Sequence, residues 1–468
     1  MTNNYIKREK SSYRDFKATV YKSKDKIFRK INTKLNIDFE KFLVSDYYKK
    51  NLNKIINTKV LNDLEVYDYG LEKEKGVIWL EHKKLEDIVY PYELTFGQLK
   101  DSAILFLDLY IDAIKNSYDI VDASAYNIQF DNKFPVFIDI ASFTFLDKES
   151  NIGWHKQFCE NYLAPLLIKS KANINFNEFF ISNIDGLDLK ITSKLLPIST
   201  YFNFNILANI HLHSYLNSKI SSTSKKNSGN KKVISISLKQ RILIANSFKK
   251  IIDNLDTKNQ SYWSLYSKKN SYTEESYNNK KKTIIDFIKK EKPDSILDLG
   301  CNDGDYSEIC FQNGVNKIVG VDNDADSLNR SYYRFKNTKN NFLPIFQNFS
   351  NPSPNIGWNN EERESFQKRY QNKFDGIICL AFMHHICIGK NVPIKLFLEY
   401  LEKFSKNILI EFVHKDDEMV KNLSINKKDI IKDYTIENFK KILLTKNYTI
   451  VNQTEISRTR TILHAIHG

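Results

Sequence analysis

The segment Ser295-Ile-Leu-Asp-Leu-Gly-Cys-Asn-Asp-Gly-Asp-Tyr-Ser constrains the fold of this chain more than any other. An apolar run typical of a buried strand ends at Asp298, and a turn with Gly300 and Gly304 follows. An apolar helix is predicted to begin near Tyr306. Glycine lets the backbone turn sharply and lets a ligand approach it, here at a helix N-terminus. The segment therefore predicts a strand, a ligand-binding turn and a helix in succession.

A second apolar run, at residues 317–321, ends in Asp322, which lies 18 residues after Gly304. In nucleotide-binding β-α-β units, a carboxylate at the end of the second strand accepts hydrogen bonds from ribose hydroxyls. The glycine turn and this carboxylate together predict a site for a nucleoside-containing ligand.

The C-terminal region continues the alternation of strands and helices. Strand-like runs follow at 343–347, 376–380 and 407–412, with a last pair near 448–451 and 461–466. Such alternation predicts a mostly parallel sheet covered by helices, with an antiparallel strand at its end. Residues 293–468 are therefore predicted to form an α/β, Rossmann-like domain.

Two ligand classes compete for the glycine turn. The dinucleotide fingerprint is GxGxxG, whereas this turn reads Gly300-Cys-Asn-Asp-Gly304 and resembles the DxGxxxG of class I methyltransferases. That resemblance implies S-adenosylmethionine as the cofactor. It implies that Asp298 and Gly300 line the methionine moiety and that Asp322 holds the ribose. Asn348 would face the adenine amine, although aspartate is commoner there in that family. Further cofactor contacts are expected from neighbouring residues: Cys301, Asn302, Gly304, Asn323, Phe349 and Leu380.

Histidine and glutamate side chains follow the next two predicted strands. The fourth strand ends in His384 and His385, and the fifth carries Glu411 and His414. Ligands of open parallel sheets bind beyond the carboxyl ends of the strands, so these side chains should face the methyl acceptor. An alcohol or amine acceptor benefits from a group that removes its proton, and a histidine suits this task. The catalytic candidates are His385, His384 and Glu411; alternatively, the histidine pair only shapes the pocket.

Two nearby segments have less specific readings. Asp416 and Asp417 are expected in a solvated loop. The proline-rich segment 351–358 ends in Trp358, which either covers the acceptor pocket or belongs to a rigid structural loop.

The 468 residues are long enough for two or three domains. Residues 1–55 are predicted to be a basic helical segment, with apolar residues of 26–43 at mixed helical spacing. Residues 56–213 should form an α+β domain, with a hairpin between Gly70 and Gly76 and a long helix at 96–117. Two short strands are expected at 126–130 and 135–140. The remaining predicted ranges are a linker at 214–232 and a helical connector at 233–292.

Several longer strings resemble a bacterial two-part methyltransferase family, some of whose members are named as nodulation-associated proteins. The strings are Tyr90-Pro-Tyr-Glu-Leu-Thr-Phe, Asp122-Ala-Ser-Ala-Tyr-Asn-Ile-Gln-Phe, Pro135-Val-Phe-Ile-Asp-Ile-Ala-Ser-Phe, Gln157-Phe-Cys, Pro352-Ser-Pro-Asn-Ile-Gly-Trp and Met383-His-His. The resemblance covers roughly residues 60–468. It implies dependence on S-adenosylmethionine and a saccharide or cell-surface glycoconjugate as acceptor, selected by the N-terminal domain.

A second likeness concerns Asp122, Asn127 and Asp139. Their spacing is similar to the catalytic segment of kinase-like phosphotransferases, in which the first aspartate orients a hydroxyl and the other two residues hold magnesium. The two residues directly before Asp122 are Ile120 and Val121 rather than a histidine-containing pair, no glycine-rich loop is evident and no lysine stands out in an apolar strand. Three readings stay open: active phosphotransfer, a kinase-like fold reused for binding, and ordinary turn residues.

Charge and cysteine content give further expectations. The formal net charge is +14, and residues 1–60 account for +10 of it. This arm either contacts a polyanion or is a solvated face; with the aromatic and lysine residues at 262–269, it supports an alternative reading as a nucleic-acid methyltransferase. A non-enzymatic scaffold that retains the cofactor fold is the third hypothesis. Five cysteines without a CxxC pair, no signal sequence and no membrane span predict a cytoplasmic protein.

Overall fold

A computed structural model describes residues 6–32, 35, 37–147, 152–214, 236–257, 273–425, 427 and 432–468. The chain forms two compact units. The N-terminal unit comprises Met1–Lys258 and Asn355–Arg363, and the C-terminal unit comprises Asn259–Pro354 and Glu364–Gly468. These units differ from the predicted ranges, since 1–55 is no separate segment and the predicted connector 233–292 is divided between the two units.

The N-terminal unit begins with a five-stranded antiparallel sheet in the order β1-β2-β3-β5-β4. Its strands are β1 (Lys7–Arg8), β2 (Ala18–Lys22), β3 (Ile27–Ile31), β4 (Thr58–Val60) and β5 (Ile78–His82). The predicted helix at 26–43 is wrong over β3, because this segment pairs with β2 on one side and with β5 on the other. The local spacing of apolar residues does not indicate such pairing between strands.

Short helices connect the strands of this sheet. They are α1 (Phe39–Val44), α2 (Asp46–Lys50) and α3 (Asp63–Asp68). Helix α3 lies where strands were expected before the predicted hairpin. A capping box explains its start, since Asn62 Oδ1 accepts from the Glu65 N–H and Glu65 accepts from the Asn62 N–H.

The rest of the N-terminal unit is mainly helical. Helix α4 (Phe96–Lys115) begins at Thr95, which forms a capping box with Gln98. The later helices are α5 (His155–Phe158), α6 (Ala164–Ala172), α7 (Asn177–Ser182), α8 (Leu189–Leu195), α9 (Phe204–Ile206) and α10 (Leu238–Asp253), with π-helical turns at Cys159–Leu163 and Leu207–Leu212. Two strand pairs complete the unit: β6 (Tyr118–Ile120) with β9 (Phe143–Phe145), and β7 (Ile128–Asp131) with β8 (Phe134–Phe137). The second pair confirms the two short strands predicted at 126–130 and 135–140.

Most of the described basic side chains within 6–60 form ion pairs inside the N-terminal unit. The pairs are Lys10–Glu361, Arg14–Glu362, Lys22–Glu9, Lys26–Glu81, Arg29–Asp139, Lys30–Glu74, Lys41–Asp38, Lys50–Asp112 and Lys59–Glu65. The positive charge of this segment is therefore largely balanced by the unit's own carboxylates.

The C-terminal unit contains a seven-stranded sheet in the order β12-β11-β10-β13-β14-β16-β15. Its strands are β10 (Ser295–Leu299), β11 (Lys317–Asp322), β12 (Asn341–Phe346), β13 (Gly376–Cys379), β14 (Asn407–Val413), β15 (Tyr448–Ser457) and β16 (Arg460–His467). Strands β10 to β14 are parallel, whereas β16 is antiparallel to both β14 and β15. This topology confirms the predicted parallel sheet and its antiparallel end.

Eight described helices accompany this sheet. They are α11 (Glu274–Glu291), α12 (Asp305–Gln312), α13 (Ala325–Lys336), α14 (Phe366–Tyr370), α15 (Met383–Cys387), α16 (Ile394–Leu401), α17 (Glu418–Ser424) and α18 (Ile436–Thr445). The apolar stripe of α11, with Ile284, Phe287 and Ile288, packs into the same core as the first strand, β10. Because the central strands are covered on both faces, they are continuous apolar runs.

All five cysteines are free thiols and buried. Among the helices of the described residues, none combines the length and the apolar character needed to cross a membrane.

Candidate cofactor and acceptor site

The turn after β10 adopts backbone conformations that favour glycine and asparagine. Gly300, Asn302 and Gly304 have φ angles of 73°, 50° and 87°. A Cβ atom at Gly300 would lie 2.7 Å from Phe382 Cδ2, and one at Gly304 would lie 2.6 Å from Phe335 Cε2. Bare backbone is therefore required at both glycines, and Gly304 starts α12.

Asp322 faces this turn from the end of β11. One carboxylate oxygen accepts from the Asn302 N–H at 2.9 Å, and the other accepts from the Asp324 N–H at 2.8 Å. Burial raises the pKa of Asp322 to about 6, against the opposing effect of these backbone donors. The carboxylate is thus fixed beside the glycine turn with backbone donors as its partners.

Asp298, at the opening of the turn, lies deeper than Asp322. Its carboxyl is buried and accepts from Ser307 Oγ at 2.6 Å. Burial raises the pKa of Asp298 to about 7, while the hydrogen bond from Ser307 lowers it. Asp298 therefore ties β10 to α12 beneath the turn.

A pocket of about 470 Å³ opens at the carboxyl ends of β10, β11 and β13. The predicted site residues that line this pocket are Gly300, Cys301, Asn302, Asp322, Asn323, Asn348, Phe349, Leu380, His384 and His385. Three predicted residues, Asp298, Gly304 and Glu411, support the pocket without lining it. The sheet thus brings strand ends that are far apart in sequence to one cavity, as expected for an open parallel sheet.

Asn348 follows β12 at one side of this pocket. Its Oδ1 accepts from the Ser350 N–H at 3.1 Å and from Ser350 Oγ at 2.7 Å. The asparagine therefore closes a local turn, while Phe349 packs against the Phe382 and Tyr400 rings. The predicted contact of Asn348 with an adenine amine stays a prediction.

His384 and His385 lie on α15, directly after β13. Burial lowers the pKa of His385 to about 4, and the Arg460 guanidinium adds to this shift. Burial also lowers the pKa of His384 well below its ordinary value, and the His384 Nδ1 atom is buried without a hydrogen-bond partner among the described residues. Both imidazoles are therefore neutral near pH 7, the form that can accept a proton.

Glu411 is the centre of a buried charge network. Its Oε2 accepts from Lys280 Nζ at 2.7 Å and from the Ala381 N–H at 2.7 Å. Its Oε1 lies 3.4 Å from Arg460 Nη1. Burial alone would raise the pKa of Glu411, but Lys280 and Arg460 hold that pKa below its ordinary value. The carboxylate is thus ionised and bound on several sides.

Lys280 and Arg460 line the pocket, and neither was predicted from the sequence. Lys280 lies on the apolar stripe of α11, four residues before Ile284, and Arg460 opens the apolar strand β16. A charged residue in a buried stripe signals a paired or functional group, although the sequence does not show which partner it has. Tyr306 was expected to start the helix; its ring centroid lies 4.7 Å from Lys280 Nζ.

Two further expectations for this region are corrected. Asp417 is buried and accepts from Arg460 Nε at 3.0 Å, so it does not belong to a solvated loop, whereas Asp416 is exposed. His414 bonds to Thr461 Oγ1 at 3.0 Å and does not line the pocket. Trp358, for which two readings were open, is 74% exposed, lies in the segment Asn355–Arg363 of the N-terminal unit and is not among the pocket-lining residues.

The N-terminal unit brings Asp122, Asn127 and Asp139 close together. Asp139 forms an ion pair with Arg29 of β3. Burial raises the pKa of Asp122, and the neighbouring Asp139 adds to the shift, whereas Asn127 lowers it. Among the described residues, no group of three or more His, Cys, Asp or Glu is arranged to hold a metal ion. Arg29 was not predicted from the sequence, because its partner Asp139 is 110 residues away.

Two sequence expectations lie outside the described residues. They are the linker predicted at 214–232, apart from Ser214, and the aromatic and lysine residues at 262–269.

Comparisons with known proteins agree with the site in the C-terminal unit. Residues 272–453 match a family model described as a methyltransferase domain. The nodulation protein NoeA of Rhizobium meliloti (strain 1021) is 32% identical over 466 residues, which cover 97% of this chain and 94% of that protein.

Solved structures match part of this chain at low sequence identity and low TM-score. The bifunctional kinase-methyltransferase WbdD is 16% identical with a TM-score of 0.30, covering 47% of this chain and 45% of that chain. The 16S rRNA methylase ArmA is 16% identical with a TM-score of 0.28, covering 44% of this chain and 96% of that chain. Sequence identity along nearly the whole chain is the stronger finding. This protein therefore belongs to the family of two-domain class I methyltransferases that includes the nodulation protein NoeA.

Proposed function

We propose that the pocket of the C-terminal unit binds S-adenosylmethionine and that the enzyme methylates a hydroxyl group of a saccharide or glycoconjugate precursor. The observation that carries the proposal is the Asp322 carboxylate, fixed by two backbone N–H groups beside the bare backbone of Gly300. A carboxylate in this position can accept hydrogen bonds from both ribose hydroxyls of the cofactor.

The residues present fit this cofactor. Asp322 offers acceptors for a ribose, Gly300 and Asn302 offer exposed backbone, and Phe349 and Leu380 offer apolar surface for a base. When bound, S-adenosylmethionine would supply an electrophilic methyl group on a sulfonium. The chain's own task is then to align the acceptor oxygen, exclude water and take up the acceptor's proton.

His385 is the proposed proton acceptor. It lines the pocket, and its imidazole is neutral near pH 7 because burial and Arg460 lower its pKa. A hydroxyl must lose its proton as it is methylated, so a neutral imidazole at the reacting end supports an oxygen acceptor. The saccharide class itself rests on the family resemblance of the N-terminal strings.

The test is a transfer assay with S-adenosylmethionine labelled in its methyl group. The enzyme is incubated with separate glycan, lipid and nucleic-acid fractions of cells. Label in the glycan or lipid-linked glycan fraction supports the proposal. Label only in nucleic acid, together with binding that weakens as salt is raised, would instead support a nucleic-acid methyltransferase. Wild-type protein that neither transfers label nor binds S-adenosylhomocysteine contradicts the proposal.

A further inference from the structure

Glu411 joins three separate elements at the reacting end of the pocket. Its carboxylate is fully buried and contacts Lys280 of α11, the backbone N–H of Ala381 after β13 and Arg460 of β16. A buried charge persists only when its partners replace the water it has lost, so these contacts fix the position of the carboxylate closely.

Ala381 has a strained backbone. Its φ angle is 51°, in the left-handed region that residues with a Cβ atom disfavour. Such a conformation persists when surrounding contacts hold it in place. The 2.7 Å bond from the Ala381 N–H to Glu411 Oε2 is a contact of this kind.

The Ala381 turn positions residues on both sides of the pocket. The next residue, Phe382, packs so closely on Gly300 that a Cβ atom there would lie 2.7 Å from its ring. Helix α15, with His385, begins directly afterwards. Gly300, Ala381, Phe382 and His385 all line the pocket, whereas Glu411 does not.

We infer that Glu411 is a positioning residue, which holds the Ala381 turn and thereby sets the Gly300 turn and His385, and that it takes no proton from the acceptor. The inference rests on the proposed function, because it assumes that the Gly300 turn receives the cofactor. It revises the sequence expectation that Glu411 is a catalytic candidate. Glu411 does not line the pocket, so the proton of an acceptor bound there is out of its reach, whereas His385 does line it.

Substitutions that separate the hydrogen bond from the charge test this inference. The measurement is the Kd for S-adenosylhomocysteine by titration calorimetry, with a thermal unfolding curve of each unliganded variant. Glu411→Met has a similar length but offers no acceptor, and we expect it to raise the Kd about tenfold or more. Glu411→Gln keeps an oxygen for the Ala381 N–H and should stay within about threefold of wild type.

Glycine at position 381 provides the decisive control. It adopts a positive φ without support, so the Kd of the Ala381→Gly variant alone is the reference for this background. In that background Glu411→Met should raise the Kd by no more than about threefold, against about tenfold or more with alanine at position 381. Unaltered binding by Glu411→Met, or a folded double variant without recovery, would overturn the inference.

A second background covers the case in which Glu411→Met does not fold. Lys280→Met/Glu411→Met removes the buried cation together with the anion, which protein cores tolerate better than an unpaired charge. Adding Ala381→Gly to this double variant should lower its Kd at least about threefold. An unchanged Kd would contradict the inference. If the wild-type protein fails to bind S-adenosylhomocysteine, the proposed function is refuted. If the wild-type protein binds it and the Kd of Glu411→Met is unchanged, only the positioning role of Glu411 is refuted.

Discussion

Asp322 combines a strand-end position with burial, and its chemistry follows from both. Its position was predicted from the spacing to the glycine turn, but its two backbone donors and its raised pKa depend on the folded loop. An Asp side chain that is partly buried and faces a pocket is costly to ionise before a ligand arrives. The ionised form is nevertheless the one that accepts two hydroxyl hydrogen bonds.

We expect binding of S-adenosylhomocysteine to weaken as pH falls below about 6, because protonation of Asp322 removes a hydrogen-bond acceptor. The loss should approach, at most, about tenfold per pH unit. Calorimetry between pH 5 and 8 measures it. Asp322→Asn should bind about 10- to 100-fold more weakly at pH 7.5 and respond less to pH, whereas Asp416→Asn, at an exposed aspartate, should match wild type. The full pH response in the Asp322→Asn variant would contradict this assignment.

His385 gives a second test at the same scale. His385→Gln should lower the kcat of methyl transfer about 100- to 10,000-fold, because the proton acceptor is lost. The Kd for S-adenosylhomocysteine should stay within about threefold. Because the pKa of His385 is lowered to about 4, its imidazole stays unprotonated as pH falls through 6.5, so kcat at saturating cofactor should fall only near pH 4. A kcat limb near pH 6.5, or an active Gln variant, would argue against His385 as the base.

At the scale of elements, agreement between sequence and structure depends on which contacts stabilise each segment. Helix α4 and strand β10 were predicted because their signals are local: an amphipathic apolar stripe in one, and an apolar run before a glycine turn in the other. Strand β3 was predicted as helix because its pattern is short and its partners β2 and β5 decide its conformation. Helix α3 was missed because its capping box spans only four residues.

The link between α11 and β14 is open to a stability test. Lys280 is buried and bonds to Glu411, so Lys280→Met removes one partner of a buried ion pair. The remaining Arg460 limits the loss, and we expect the free energy of unfolding of the C-terminal unit to fall by about 2–4 kcal/mol. Hydrogen exchange of α11 and β14 peptides under increasing urea measures it.

Lys282→Met, at an exposed lysine of the same helix, is the matched control and should change stability by less than about 0.5 kcal/mol. The double variant Lys280→Met/Glu411→Met should be more stable than Glu411→Met alone, since it leaves no lysine buried without its carboxylate. If Lys280→Met were as stable as Lys282→Met, the ion pair between Lys280 and Glu411 would make no contribution to stability.

At the scale of the whole molecule, the N-terminal unit includes a segment that the sequence assigns to the methyltransferase region. Within Asn355–Arg363, the buried Glu362 carboxylate accepts from Arg14 at 2.7 Å and 3.1 Å and from Tyr13 at 2.6 Å. The Arg363 guanidinium lies 4.2 Å from the Tyr126 ring centroid. Glu362 and Arg363 therefore link this segment to the N-terminal unit, although the segment follows β12 in sequence.

We expect Glu362→Ala to destabilise the N-terminal unit by about 1–3 kcal/mol, because Tyr13 and the Trp358 N–H lose a buried acceptor while Arg14 can turn to solvent. Two units seldom unfold as one two-state system, so hydrogen exchange of peptides from β2, β3 and β7 is the suitable measurement. Glu361→Gln, which removes a partly exposed ion pair with Lys10, should have an effect below about 1 kcal/mol. Equal exchange in Glu362→Ala and wild type would show that the segment adds no stability.

The sequence by itself determined the α/β class of the C-terminal unit, the order in which its strands appear, and Gly300, Asn302 and Asp322 as residues of one pocket. These features are local, because each depends on an apolar run and on the turn that follows it. Only the tertiary structure decided which charges meet: Lys280 with Glu411 and Arg460, Arg29 with Asp139, and Arg14 with Glu362. These partners lie tens to hundreds of residues apart. The role of a buried charge depends on the groups that replace the water around it, and no local sequence pattern specifies which groups these are.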